Sequence, residues 1–567
     1  MRETLLFLQL PQLDNDVSDA HENHYRAAAY LTQALRQSPV GTTLDILQPP
    51  PEWDSLGDDG WIRAIESLRP HYLVATVYLW NCERTVALVR RLKERLPTTK
   101  MLLGGPDIAF PHPFLFRSKA ADIVAMGEGE RLLPEIIQSL RAKRNPDRLA
   151  VAWRTPAGWQ RGHRPIREWD LASAEAGSDA PALSPDARGI AYLETVRGCP
   201  LHCLYCRYHH LRRRLSYLPP ALIARQLELL RQRGTRHVRI IDPTFNAHPQ
   251  FDEVLEAFVR RKKRSSMTFF AELRADRLTR HQADALARAG FTEIEVGVQS
   301  TDPAVLRAIG RPTDLGRLEQ GIRLLTDRGI RVSLDLMIGL PFQTRTSVLN
   351  DLQWALRMPR LVRIQFLHTL LLPGTALRRH AATYGLQADS RPPYAVQETR
   401  WLPLDDRHDL EEELSAHPRL ETDIPTRCWV GRRLPDLFPH RRLVEIEREP
   451  FRFPDPEYAR EAWIFKGRNL YARRNRLAAL IQHAIRHSPH TLWQFVLAPA
   501  DEEPLDLLDE LIRLLRSAPP HLNDRYPAMR LRQRMVSRRL MVLLPQRPPF
   551  SDSWIAEADA TLRDAFY

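Results

Sequence analysis

Three cysteines fall within eight residues in the segment Cys199-Pro200-Leu201-His202-Cys203-Leu204-Tyr205-Cys206, which follows a strand predicted at 191–195. A structural zinc site needs four ligands, and the candidates for the fourth are His202, His209 and His210. Three thiolates on one tight loop also suit three irons of a four-iron cluster, whose remaining iron is then open to an external ligand. The spacing therefore predicts a metal or cluster site and leaves zinc as the alternative.

The composition narrows the setting of this site. The chain has 567 residues and five cysteines, of which Cys82 and Cys428 stand alone. So few cysteines exclude a disulfide scaffold and favour a reducing compartment. The formal net charge is +13, with arginines spread over almost every segment. Because nucleic-acid binding needs clustered cations, we interpret this charge as compositional and do not expect a nucleic-acid partner.

The region 190–385 alternates strand patterns with helix patterns. Six strands are predicted, at 191–195, 237–241, 268–272, 293–298, 332–338 and 363–371. Six strand–helix units are too few for a closed eight-stranded barrel and enough for a partial (β/α)6 barrel. Catalytic groups are then expected at the carboxyl ends of the strands, where the cysteine segment lies.

Residues 1–145 show the same alternation, with predicted strands at 4–10, 43–47, 72–79, 100–103 and 122–126. Short apolar strands between amphipathic helices predict an α/β fold with a doubly wound, Rossmann-like parallel sheet. Ligands on such sheets bind outside the carboxyl ends of the strands. The candidate binding loops are therefore two glycine-bearing strand ends, Gly104-Gly105-Pro106-Asp107 and Gly127-Glu128-Gly129-Glu130.

The other segments carry no recognisable motif. Residues 146–189 are predicted to be a linker with a hairpin near 149–162, and residues 386–567 a mainly helical accessory domain with one late strand at 540–544. This last domain either covers a substrate cavity or serves only in packing. The longest apolar run, 72–80, is far shorter than the roughly 20 residues of a spanning helix, and no targeting segment is visible. We expect a soluble, cytoplasmic protein.

The cysteine segment and the strand ends around it resemble the radical S-adenosylmethionine (radical SAM) enzymes. The resemblance covers about 190–385 and rests on landmarks in family order: the run from Glu194 to Cys206 with an aromatic residue before the last cysteine, and the segments 242–246, 272–276, 297–300, 306–311, 338–341 and 372–375. It implies that Cys199, Cys203 and Cys206 hold a [4Fe-4S] cluster. The open iron would take the amino and carboxylate groups of SAM.

The same resemblance implies a SAM pocket. Tyr205 and Arg207 would border the adenine, and the other members of the pocket would be Asp242, Glu272, Arg274, Gln299, Ser300, Gly339 and Pro341. A sulfonium cation with a zwitterionic tail needs carboxylates and an arginine nearby, which agrees with part of this set. Two alternatives stay open: a buried structural pair of Glu272 with Arg274, and a simple turn at Gly339 and Pro341.

The amino-terminal region resembles the cobalamin-binding domain that precedes the barrel in one subclass of this family. The matching positions are Thr76, Leu79, Gly104, Gly105, Gly127 and Glu128, whose small residues would let the backbone approach the corrinoid closely. Some cobalamin domains ligate cobalt through an Asp-x-His-x-x-Gly loop. The nearest match, Asp19-Ala20-His21-Glu22-Asn23-His24, lacks the glycine, so we expect cobalt without a histidine ligand from the protein.

The resemblance implies reductive cleavage of SAM to a 5′-deoxyadenosyl radical and, most often, transfer of a methyl group from SAM through methylcobalamin to an unactivated carbon. The alternative is a cobalamin-dependent radical oxidation, cyclisation or rearrangement without methyl transfer. A methylthio transferase would need a second cysteine-ligated cluster, which Cys82 and Cys428 do not supply. The intact cysteine triad disfavours a cobalamin sensor with a degenerate barrel. Implied partners are a small-molecule or peptide substrate and an electron donor such as flavodoxin or ferredoxin.

Overall fold

The computed structural model describes residues 2–13, 26–112, 114–163, 168–172, 184–208, 214–262, 266–420, 428–446, 456–525, 537–546 and 550–566. Within these ranges, three larger sheets organise the chain. None of the helices there is both long enough and apolar enough to cross a membrane.

The first sheet has seven strands among the described residues, in the order β2-β1-β3-β4-β5-β6-β7. Five of them are parallel and match the predicted strands: β1 (Glu3–Leu8), β2 (Leu44–Leu47), β3 (Tyr72–Thr76), β4 (Lys100–Gly104) and β5 (Ile123–Ala125). The predicted hairpin is present as β6 (Val151–Thr155) and β7 (Gly158–Arg161), which extend the sheet in antiparallel fashion.

Apolar side chains on both faces of this sheet require helices on both sides. In β1, Leu5 and Phe7 enter one buried cluster while Leu6 and Leu8 enter another, as expected for a parallel sheet covered on two faces. The covering helices are Arg26–Arg36, Asp58–Leu68, Cys82–Arg95 and Gly129–Arg141. The glycine-bearing loops follow β4 and β5, at the carboxyl ends of these strands.

The central sheet contains six parallel strands in the order β15-β14-β13-β12-β11-β8, in the part of the chain that is described. All six predicted strands are confirmed, as β8 (Ile190–Leu193), β11 (His237–Ile240), β12 (Thr268–Glu272), β13 (Phe291–Gln299), β14 (Arg331–Ile338) and β15 (Val362–His368). The short pair β9 (Val196–Arg197) and β10 (Ser216–Tyr217) flanks the cysteine segment. Strands in sequence order with helices between them form the expected partial barrel.

The faces of the central sheet differ in polarity. In β13, Ile294, Val296 and Val298 are buried in the core, while the alternate positions, including Glu295, face the other way because successive side chains point to opposite faces. The helices that cover the apolar face are Pro220–Gln232, Phe251–Lys262, Arg280–Ala289, Leu315–Thr326 and Arg345–Leu356. The short helix Pro303–Ala308 packs instead in a separate cluster with Met337 and Leu340.

The carboxyl-terminal region contains the expected helices and also a sheet that the sequence analysis largely missed. After a small hairpin of β16 (Gln387–Ala388) and β17 (Val396–Glu398), the described residues form a five-stranded parallel sheet in the order β18-β22-β21-β20-β19. Its strands are β18 (Val430–Gly431), β19 (Arg441–Glu445), β20 (Arg460–Gly467), β21 (Leu492–Pro499) and β22 (Arg538–Leu543). The helices of the region are Leu404–Ala416, Arg474–His487, Asp506–Ser517, Leu522–Arg525 and Asp552–Phe566, and the short helix Ala376–Arg379 precedes the hairpin.

Buried ion pairs tie the first and last regions together. Glu83 in the helix Cys82–Arg95 accepts hydrogen bonds from Arg391 Nε at 2.6 Å and from Arg525. Asp58 accepts from Arg84 Nε at 2.8 Å, and its other oxygen lies 2.8 Å from His490 Nδ1. The carboxyl-terminal region is therefore fixed against the helices of the first sheet.

Candidate functional site

The cysteine loop leaves β9 and lies against the turn that ends the helix Pro303–Ala308. The Leu204 amide donates to the carbonyl of Ile309 at 2.9 Å, and the Leu204 carbonyl accepts from the Leu377 amide at 2.8 Å. Gly310 has φ +69°, and a Cβ there would lie 3.2 Å from the carbonyl oxygen of His202. Glycine at 310 therefore allows the two backbones to approach each other.

Each of two cysteines has a polar neighbour outside the cysteine loop. Cys199 Sγ lies 3.5 Å from Thr244 Oγ1, and the buried Cys203 Sγ lies 3.6 Å from Arg311 Nη1. Arg311 also donates to the Gly297 carbonyl at 2.6 Å. The pKa of Arg311 is raised, because the effect of burial, which lowers it, is smaller than that of the nearby Tyr205 and Cys203. The side chain of Arg311 therefore stays a cation beside the thiols. Arg311 was not among the predicted site residues, although it ends one of the family landmarks.

The donor set fits an iron–sulfur cluster. Burial, with a further contribution from Cys203 and Cys199, raises the pKa of Cys206 to about 11, so three ionised thiols at this place need a cationic centre. In the described part of the chain, the one group of three candidate ligand atoms that all lie within 4.8 Å of one another is Cys82, Asp107 and His112. The loop sulfurs are thus spread more widely than the ligands of a single ion. Two zinc-ligand candidates, His209 and His210, lie outside the described residues.

The group around Cys82 is a hydrogen-bonded cluster and not an ion site. His112 Nδ1 accepts from the amides of Phe114 at 3.2 Å and Leu115 at 2.9 Å, so the ring proton is on Nε2. That nitrogen lies 3.3 Å from Asp107 Oδ2 and donates to it. A metal would need the lone pair that this proton occupies, so the role of His112 is to hold Asp107.

Asp242 links the ends of two neighbouring strands through Thr195. Its buried carboxylate accepts from the Thr195 amide at 2.7 Å and from the Thr195 hydroxyl. Burial raises the pKa of Asp242 to about 7, although the hydrogen bonds from Thr195 act in the opposite direction. These contacts join β8 to β11, and contact of Asp242 with SAM stays a prediction.

Glu272 and Arg274 do not form the pair considered as an alternative. Arg274 binds Asp276, with Nε 2.6 Å from Oδ1, and its backbone is paired with the side chain of Asn246. Glu272 lies beside Glu295 in the register of β12 and β13. Burial and the charge of Glu295 raise the pKa of Glu272 to about 7, and a cationic ligand beside it would favour the ionised form.

Gln299 is presented by an unusual backbone conformation. It has φ +71°, and its Oε1 is buried without a hydrogen-bond partner. The next residue, Ser300, donates to Asp351 at 2.9 Å, and Asp351 also accepts from the Thr301 amide at 2.6 Å. Ser300 is therefore an anchor for the loop, and contact of Gln299 with SAM stays a prediction. Asp351 was missed because its partners are about 50 residues away in sequence.

Tyr205, Gly339 and Pro341 surround the same end of the barrel. Tyr205 packs against the apolar clusters that contain Leu306 and Leu371. Gly339 has φ +87°, and its amide donates to Gln343 Oε1 at 2.8 Å. Pro341 is buried in the turn that follows. The turn alternative thus describes the backbone here, and ligand contact by these residues stays a prediction.

A cavity of about 350 Å³ lies between the first sheet and the cysteine loop. Five of the six predicted cobalamin positions line it: Thr76, Gly104, Gly105, Gly127 and Glu128. The sixth, Leu79, packs instead in the apolar cluster of Leu371 and Tyr394. From the barrel side the cavity is lined by Glu194, Arg197, Gly198, Tyr208 and Ile241. A Cβ on Gly104 would meet only Ala125, at 3.8 Å, so a side chain there would occupy space that a bound group can use. His21 lies outside the described residues.

Two arginines next to the cysteine loop contact the first sheet. Arg197 Nη1 donates to Glu130 at 2.8 Å, and its Nη2 donates to Glu194 at 2.9 Å. Arg207 Nε donates to the Pro106 carbonyl at 3.3 Å, and Nη2 donates to the Ile108 carbonyl. The guanidinium of Arg207 is thus directed to the loop after β4, and its contact with adenine stays a prediction.

Comparison with known proteins agrees with this architecture. The model of the Radical SAM superfamily matches residues 193–355, and that of the B12 binding domain matches residues 17–137. The cobalamin-dependent radical SAM methyltransferase TokK of Streptomyces tokunonensis is 25% identical over 392 residues, which are 64% of this chain and 55% of TokK. The 2-(S-pantetheinyl)-carbapenam-3-carboxylate methyltransferase of Streptantibioticus cattleyicolor is 26% identical over 347 residues, 56% of this chain and 50% of that protein. The chain spans about half the length of these curated relatives.

A solved structure shows the same fold. The radical S-adenosylmethionine methyltransferase TsrM from Kitasatospora setae, with cobalamin and a [4Fe-4S] cluster bound, superposes with a TM-score of 0.59 at 17% identity, covering 74% of this chain and 93% of that chain. The two adjoining family matches and the three-cysteine loop beside the cavity together identify the chain as a member of the cobalamin-binding radical SAM enzymes, a family whose cofactors are a [4Fe-4S] cluster, SAM and cobalamin.

Proposed function

We propose that this protein is a radical SAM methyltransferase that moves a methyl group from SAM to an unactivated carbon of a small molecule or peptide. The observation that carries the proposal is the cavity, because its walls come both from the strand ends of the first sheet and from the segments on either side of the cluster cysteines. When bound, the cofactors supply a carbon-centred radical and a methyl carrier, and the protein's task is to orient them and to exclude water.

The residues of the barrel divide this task between them. Cys199, Cys203 and Cys206 would hold three irons, with Arg311 offsetting the thiolate charge. Gln299, whose side-chain oxygen has no protein partner, would contact SAM from a loop that Asp351 fixes. Glu272 supplies a carboxyl group whose raised pKa lets it accept or hold a proton near neutral pH. Apolar packing of Tyr205 closes the cluster side against water.

The residues of the first sheet would form the floor of the cobalamin site. Gly104 leaves room for the corrinoid, and Gly105, at φ +124°, adopts a conformation that side chains rarely allow. Electrons would come from a flavodoxin or ferredoxin, since the described residues include no second cluster-like group of cysteines.

The alternative is a radical oxidation, cyclisation or rearrangement without methyl transfer. Anaerobically reconstituted protein with cobalamin, reductant and methyl-labelled SAM separates the two, even without a known acceptor. Methyl transfer predicts S-adenosylhomocysteine and label that co-migrates with the protein-bound corrinoid. If the protein forms 5′-deoxyadenosine but neither labelled corrinoid nor S-adenosylhomocysteine, the alternative is correct. C203A serves as the control that should yield none of these products.

A further inference from the structure

The cysteine loop has an arginine near each end, and each arginine contacts a different cavity loop of the first sheet. Arg197 lies two residues before Cys199 and contacts the loop 127–130. Arg207 directly follows Cys206 and contacts the loop 104–108. These are the two glycine-bearing loops that line the cavity.

The contact made by Arg197 is an ion-pair network. Its guanidinium lies 2.8 Å from Glu130, 2.9 Å from Glu194 and 3.8 Å from Glu128. All four side chains are less than 15% exposed, so the charges are weakly screened. Glu194 belongs to the barrel, whereas Glu128 and Glu130 belong to the first sheet. Arg197 therefore joins the two carboxylates of the cavity loop to the segment that precedes Cys199.

The contact made by Arg207 is directional. Its two hydrogen bonds go to the carbonyls of Pro106 and Ile108, which flank Asp107, and the Asp107 carboxylate attracts the guanidinium. His112 holds Asp107 from the other side. The chain leaves room for this arginine, because a Cβ on Gly374 would overlap Arg207 Nη1. A planar guanidinium fits two carbonyls in a way that the point charge of lysine does not.

We propose that Arg197 and Arg207 couple the two cofactor sites, so that an occupied cluster loop raises the affinity for cobalamin and bound cobalamin stabilises the cluster loop. The inference rests on the cofactors named under the proposed function. Binding a cluster fixes the conformation of residues 199–206. Because each arginine is bonded to a loop that lines the cobalamin cavity, that loop is then held in place as well. Such coupling is reciprocal for equilibrium binding, and it makes Arg197 and Arg207 positioning residues.

The test measures cobalamin affinity and not turnover. Hydroxocobalamin is titrated into the full-length chain with and without the reconstituted cluster, and the affinity ratio is compared between variants. We expect wild-type protein to bind about fivefold or more tightly when the cluster is present. R207M should bring the ratio close to one, and R207K should give an intermediate ratio because lysine keeps the charge but not the fork. R260M, which removes an exposed arginine paired with Glu256 on a helix surface, should keep the wild-type ratio.

Hydrogen exchange provides a second readout. In R207M, amides in 104–108 should exchange faster than in wild type while those of β1 keep their protection. A wild-type ratio of one, or a ratio that R207M leaves unchanged, would overturn the coupling, whereas failure of the methyl-label experiment leaves both measurements valid. If R207M does not fold, E130Q weakens the other contact and should lower the ratio. An unchanged ratio in a folded E130Q protein would contradict the role of Arg197.

Discussion

Arg207 donates a hydrogen bond to the carbonyl oxygen of Ile108, although 99 residues separate them in sequence. Arg207 follows the last cysteine of the cluster loop, and Ile108 lies in a loop that lines the cavity of the first sheet. The cysteine loop is therefore in direct contact with a loop that lines the cavity.

Valine at position 104 should block cobalamin. Gly104 lines the cavity, and a Cβ there meets only Ala125 at 3.8 Å, so the fold tolerates a side chain that a ligand does not. Overpacking costs about 1–3 kcal/mol, which corresponds to roughly 5- to 150-fold weaker binding. Absorbance titration with cobalamin measures the effect in G104V. Iron content should stay at the wild-type value, and G316A, a glycine substitution in the helix Leu315–Thr326, should bind normally. Wild-type affinity in G104V would remove Gly104 from the cobalamin site.

We expect D351A to weaken SAM binding indirectly, through the loop that Asp351 holds. Asp351 fixes Ser300 and Thr301, and unpaired buried donors cost about 1–3 kcal/mol each, so the loop that presents Gln299 should shift. Equilibrium dialysis of cluster-loaded D351A should show a raised Kd for SAM with unchanged iron content. D351N, which keeps one acceptor oxygen, should be affected less, and N350A on the exposed side of the same helix should match wild type. Equal Kd values in D351A and N350A would contradict this role of Asp351.

Asp242 should make stability depend on pH. Burial raises the pKa of Asp242 to about 7, whereas an aspartate in an unfolded chain titrates near about 3.9. Between these values the folded protein binds a proton that the unfolded chain does not. The stabilisation is therefore fully present below about pH 4 and is lost as the pH rises to 7, by at most about 1.4 kcal/mol per pH unit.

Comparison of D242N with wild type isolates this effect. The difference in thermal midpoint, D242N minus wild type, should rise between pH 5 and pH 8, because asparagine cannot lose the proton. D327N, at an exposed aspartate, should follow the wild-type profile. A difference that stays constant over this range would show that Asp242 does not titrate there.

Loss of the Glu83 charge should destabilise the contact between the first and last regions. Glu83 and Arg525 are both nearly buried, and removal of one partner of a buried pair costs about 3–5 kcal/mol. E83Q should lower the denaturation midpoint strongly, R391M less, because Arg391 is half exposed. In a double-mutant cycle, E83Q/R525M should recover part of the loss. Strictly additive losses would mean that the pair does not couple the regions.

The sequence predicted the strands of both cofactor regions because their apolar runs are short and bounded by glycine or proline. It predicted one strand of the carboxyl-terminal sheet. In β21, Leu492–Pro499, nearly every side chain is buried, so the two-residue alternation that marks a half-exposed strand is absent.

The site residues that lie in a local sequence motif were predictable. Contacts between residues far apart in the sequence were not. The cysteine spacing and the glycine-bearing strand ends are local signals. The pairing of Asp351 with Ser300 and that of Arg207 with Ile108 join residues on separate elements, and no spacing in the sequence records them. The guanidinium of Arg207 accordingly contacts the carbonyls of Pro106 and Ile108, a contact that the motif around Cys206 does not predict.

The assignment of the cluster site is tested most directly by measuring the cofactor content and SAM cleavage of the full chain after anaerobic reconstitution. We expect wild type to bind about four irons and one cobalamin and, with a reductant, to convert SAM to 5′-deoxyadenosine, while C203A loses both iron and cleavage. A wild-type preparation that binds the irons but never cleaves SAM, or a C203A protein that still cleaves it, would contradict the assignment of the site.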